Sequence, residues 1–232
     1  MDKNRFIQKM RKDKKSESTI KRNIELTQNF EKYLLEIKKR KIEEALPKDL
    51  EDFKIWAEKN KLQNIRMYFM SLSAYYEYLA KKKMVLKAKE LMGIIELDTY
   101  KLKDFQGINT NNRAKLKRKG IHTAKQILDK GYTKKGRDRL SRELTIPVAP
   151  ILELVKLSDL ARIPGVKKIR ARLYYEAGLD TLEKMAACDA EGLRNISAEY
   201  IQKISFKGIP PTQKEAEHTV TMAKYLKKYV EY

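Results

Sequence analysis

The residues whose types and spacing best suit chemistry lie in the turn Ile163-Pro164-Gly165-Val166, inside the stretch LSDLARIPGVKKIRARLYYEAG from Leu157 to Gly178. That chemistry is anion binding. Pro164 fixes φ, and Gly165 supplies backbone angles that a residue with a Cβ resists. Such a turn leaves the first amides of the following helix unpaired at the positive end of its dipole. Lys167, Lys168, Arg170 and Arg172 follow at once. Amides backed by that much positive charge suit phosphate.

The unit occurs twice. Gly107 and Gly165 are 165−107 = 58 residues apart, and the same offset joins Gly120 to Gly178 and Thr123 to Thr181. Leu102 with Leu160, Phe105 with Ile163, Ile108 with Val166, and Ile121 with Leu179 keep that offset without a gap. Glycines, apolar positions and a helix cap together mark an internal duplication. The first copy's candidate anion-binding residues are Gly107, Ile108, Asn109, Thr110 and Arg113, and the second copy's are Gly165, Val166, Lys167, Lys168 and Arg170. Between them, Lys134-Lys135-Gly136-Arg137-Asp138-Arg139 forms a third basic patch, with Lys134, Lys135 and Arg137 as candidate phosphate ligands.

The segments Phe105-Gln106-Gly107-Ile108-Asn109 and Ile163-Pro164-Gly165-Val166-Lys167 resemble the hairpins of helix-hairpin-helix DNA-binding modules. The stretch from about residue 99 to 226 resembles a prokaryotic domain-of-unknown-function family of tandem helix-hairpin-helix proteins. Asn109 and Lys167 stand where the second glycine of the hairpin often sits. The resemblance implies DNA held by consecutive phosphates, largely without base reading, and no cofactor beyond a monovalent cation in a hairpin when DNA is bound.

The elements that must position these turns read as all-helical, because strand-like alternation is absent and Gly and Pro are few. Thr123 with Gln126, and Asp180 with Glu183, have capping-box spacing. Pro147 and Pro150 frame a turn into Ile151–Val155, and after Pro210-Pro211 an amphipathic helix carries Ala216, Val220, Ala223 and Leu226. Upstream, residues 1–15 form a basic arm ordered only against a partner, or a solvated tail. Helices are expected over 18–39, from an Asp49 cap onward, over 62–82 and over 86–95, a four-helix bundle. Its Ser18-Thr19-Ile20, Asp49 to Phe53 and Leu72 to Leu79 segments resemble the SAM-like core-binding domain of tyrosine recombinases. The domains expected are 1–15, 16–97 and 98–232.

Charge narrows the partner. The chain of 232 residues carries a net +21, of which +8 lies in residues 1–98 and +13 in the rest. That balance favours a polyanion, most often nucleic acid. Cys188 is the only cysteine, which excludes an intrachain disulfide and a cysteine-based zinc cluster. No apolar run approaches membrane-spanning length, so the expectation is a cytoplasmic, nucleoid-associated protein with DNA as partner and no membrane. Neither His122-Thr-Ala-Lys nor His218-Thr-Val-Thr makes the His-x-x-Arg box of recombinase catalysis. The leading reading is a non-catalytic DNA-binding protein. Two readings compete with it: a glycosylase or lyase using Asp180, and a protein-docking module of a DNA repair or recombination complex.

Overall fold

Asp2 accepts a hydrogen bond from the Arg5 amide at 3.2 Å and starts the first helix, α1 (Lys3–Lys12). The N-terminal stretch is therefore neither a free arm nor a tail. Phe6 and Met10, four residues apart on one helical face, are buried against the helices that follow. The computed structural model describes residues 1–228 and 230–232, and it divides into two compact units, Met1–Met92 and Gly93–Tyr232. Among the described residues there is no strand, only an isolated bridge between Lys101 and Thr123. The protein is all-α.

In the first unit, Ser16 caps α2 (Glu17–Tyr33), which runs on as a π-helical turn over Leu34–Lys38 and ends at Lys39 with φ 51°. Helices α3 (Pro47–Lys59) and α4 (Ile65–Tyr78) follow, and α5 (Lys82–Thr99) begins in this unit and runs on into the second from Gly93. Asp49 sits one turn inside α3 instead of preceding it, and its carboxylate accepts the Leu46 amide at 2.8 Å. The core is aromatic: Phe30, Phe53, Phe69, Tyr75 and Tyr76 are buried, and Phe6 meets Tyr75 edge-on with centroids 5.2 Å apart. Tyr68 and Tyr75 thus have packing roles. Phe6 is only 1% exposed, so Phe6→Ala is expected to cost this unit about 3–5 kcal/mol. Urea unfolding followed by Trp56, the one tryptophan, checks this; no shift in midpoint would mean that α1 contributes nothing.

The second unit comprises α6 (Thr110–Arg118), α7 (Ala124–Gly131), α8 (Lys134–Leu144), α9 (Val148–Leu160), α10 (Lys168–Glu176), α11 (Leu182–Ala187), α12 (Ala190–Ile204) and α13 (Gln213–Tyr225). The duplication is visible in its backbone. Among the described residues the only glycines with positive φ are Gly107 (73°), Gly120 (71°), Gly165 (90°) and Gly178 (86°), two pairs at the 58-residue offset. Helices α6 and α10 begin and end at that offset, and each closes through equivalent bonds, Ile121 to Leu116 at 3.0 Å and Leu179 to Tyr174 at 2.9 Å. Thr123 caps α7 and Thr181 caps α11. Gln126 returns the bond at the first cap, as its spacing predicts. In the second copy the cap is Thr181 and not Asp180. The Pro147 and Pro150 segment is likewise not a separate turn: Pro147 precedes α9 and Pro150 lies in its first turn, where a missing N–H costs little. Helix α9 packs on α7, α8 and α10, and α13 on α11 and α12.

Candidate nucleic-acid interface

The second turn is built on two buried side chains. Ile163 and Val166 are inside, and the Val166 amide bonds Ile163 O at 2.9 Å, which leaves Gly165 exposed at the tip. His218 Nε2 lies 3.1 Å from Pro164 O. Gly93 of α5 comes so close beneath that an added Cβ would lie 2.1 Å from Arg162 O. No side chain caps α10. Its leading amides are thus available to an anion.

The cations behind this turn are mostly engaged. Lys168 pairs with Asp104 at 2.9 Å and holds its carboxyl below the ordinary carboxylate value. Arg170 pairs with Glu215 at 3.3 Å. Arg172 is buried, with Nη1 on Glu153 at 2.7 Å and Glu176 at 3.0 Å. Lys167 alone among the four is exposed and forms no ion pair among the described residues. Any grip at this turn rests on backbone more than on side-chain charge.

The first turn differs. Gly107 is exposed, Ile108 half-buried and Thr110 exposed. Asn109 Oδ1 accepts the Asn111 and Asn112 amides at 2.9 and 3.1 Å. The amides expected to face a phosphate are therefore already capped by the short Asn109 side chain. Behind the tip, the Arg172 guanidinium lies 3.5 Å from where a Gly107 Cβ would be, and its Nε and Nη2 make no hydrogen bond. Beside this turn, Arg113 borders a cavity of about 560 Å³ that also takes in Lys101, Lys103 and Lys117. Lys101 and Lys103 were not legible as site residues, because their convergence with α6 depends on the tertiary fold.

The third basic patch is not one surface. Lys134 and Lys135 are exposed, but Arg137 is only 3% exposed. Its guanidinium donates to Gly131 O at 3.0 Å, Tyr132 O at 3.2 Å and Glu231 O. Burial among three carbonyls makes Arg137 a tie for the C-terminal segment, unavailable to phosphate. The Lys134 amide is also taken, by the Glu231 carboxylate at 2.8 Å. Asp180 is held by Lys156 and, at 2.7 Å, by Lys184. Burial works to raise its carboxyl, but the two lysines outweigh that and bring it down.

These features define an all-α protein with a duplicated helix–turn–helix unit whose glycine tips stand open. Residues 106–226, just over half of the chain, match the family described as Domain of unknown function (DUF4332). The chain belongs to that family, and the matched segment contains both glycine tips. No curated protein and no solved structure matches the chain. No helix among the described residues is long and apolar enough to cross a membrane.

Proposed function

We propose that the Gly93–Tyr232 unit is a non-catalytic DNA-binding module that holds the sugar–phosphate backbone with little base reading, in the manner of tandem helix-hairpin-helix domains. The observation that carries the reading is the uncapped start of α10 behind the exposed Gly165; the first copy repeats the glycine tip at Gly107 but has its helix start capped by Asn109. The first unit, also basic, extends the footprint as recombinase core-binding domains do. A protein-docking reading has one observation in its favour. Ile169 and Ile209, 50% and 74% exposed, border the cavity beside the second turn.

The test is fluorescence anisotropy of the full chain with a short labelled duplex across a salt series. Neutralising about five phosphates gives a slope of log K against log salt near −4 to −5. Binding that ignores salt, or no binding at low salt, overturns the reading and leaves docking in its place.

A further inference from the structure

The two copies have parted in one respect that their common fold does not require. In the first copy, the cavity beside α6 has an aliphatic floor of Leu102, Ala114 and Ile121. Its rim carries Lys101 and Lys103 on one wall and Arg113 and Lys117 on the other. Among the described residues none of these four cations forms an ion pair or a side-chain hydrogen bond. At the 58-residue offset the second copy has Asp159, Ala161, Ala171 and Tyr175 in their places, and Arg172 in place of Ala114. Asp159, Ala161, Ala171 and Arg172 are buried there. One copy turned this face into core, and the other kept it open and cationic.

We propose that the open cavity of the first copy is a second nucleic-acid subsite, which takes the sugar–phosphate strand running on from the Gly107 turn. The inference rests on the backbone-binding reading above and locates its side-chain component. Arg113 and Lys117 lie one helical turn apart on one face of α6, so they meet successive groups along a strand. Thr110, the first residue of α6, also lines the cavity and joins it to the turn. No carboxylate lines it, so the occupant is anionic. No Phe, Tyr or Trp lines it, and His122 is the one ring among its lining residues, so the hold is on the sugar–phosphate strand more than on stacked bases. The amides of the first turn are capped by Asn109, and these cations are what that copy has to offer a phosphate instead.

The test compares the full chain with Arg113→Gln/Lys117→Gln, with Lys101→Gln/Lys103→Gln from the opposite wall, and with Lys203→Gln/Lys224→Gln as an equal loss of charge from exposed sites on α12 and α13. Circular dichroism accompanies each variant. Each cavity pair is expected to weaken duplex binding about tenfold or more and to lower the salt slope by about 2, with the control pair close to the parent. If the parent itself does not bind the duplex, the backbone-binding reading fails and takes this one with it. If the parent binds and folded cavity variants match the control pair, the subsite alone is overturned. Polyglutamate competing as well as unlabelled DNA would assign the cavity to acidic peptides and overturn it too.

Discussion

Replacing Gly165 with valine is expected to weaken DNA binding about tenfold or more, while the same change at Gly178 leaves it within about twofold. The two positions form a matched pair. Gly165 has φ 90° and Gly178 φ 86°, angles that a β-branched residue resists, and an added Cβ meets nothing within 4 Å at either. The cost to the fold is therefore conformational and similar at both, on the order of 1–3 kcal/mol. Only Gly165 stands at the tip before the uncapped amides of α10, where a side chain holds a phosphate off and a reshaped turn re-aims the donors. Each charge-assisted amide–phosphate bond contributes roughly 1.5–3 kcal/mol, so losing one accounts for the factor. Anisotropy titrations beside thermal melts separate the effects. Equal losses of binding in both variants would make the turn scaffolding and leave diffuse charge as the grip.

In the Gly93–Tyr232 unit the largest effect on stability is expected at Asp159→Ala, a loss of about 3–5 kcal/mol. Asp159 Oδ1 and Arg162 Nη1 are 2.6 Å apart, with side chains 2% and 3% exposed. Arg162 also reaches Lys227 O at 2.9 Å, and Tyr232 donates to Asp159 Oδ2 at 3.1 Å. Truncating the carboxylate removes a counter-charge 2.6 Å from a buried guanidinium just before the second turn. Burial pushes the Asp159 carboxyl above its ordinary value even against Arg162 and Tyr232, so desolvation outweighs their attraction. For that reason Asp159→Leu combined with Arg162→Met should recover most of the loss. Urea midpoints followed by far-UV circular dichroism decide it. A single-variant loss below about 1 kcal/mol would class the pair with exposed ion pairs.

What the sequence made legible was local or periodic. The 58-residue offset needed only two glycines and a few apolar positions, and the structure repeats its backbone angles there. Thr123 with Gln126 declared a cap three residues apart, and the bond is made. The amphipathic spacing of Ala216, Val220, Ala223 and Leu226 placed all four inside. What stayed hidden depended on distant chain. Seven cations in the first fifteen residues masked the Phe6 and Met10 spacing that builds α1. Arg137 looks like any basic-patch residue until Glu231, 94 positions on, closes over it. Asn109 suits either an open turn or a cap, and only its side-chain rotamer decides. The pairing of Lys168 with Asp104 crosses from one copy to the other, which no local pattern reports.

That crossing has a mechanical meaning. Lys168 reaches back to Asp104 on the approach to the first turn, and the Arg172 guanidinium lies close behind the Gly107 tip. The copies are thus not beads that could be cut apart or lengthened into an array. A fragment ending before α10 would lose the backing of its own tip, and a third copy would find no such seat. Tied in this way, the two tips are set at one spacing, and a ligand that engaged both would have to match that gauge.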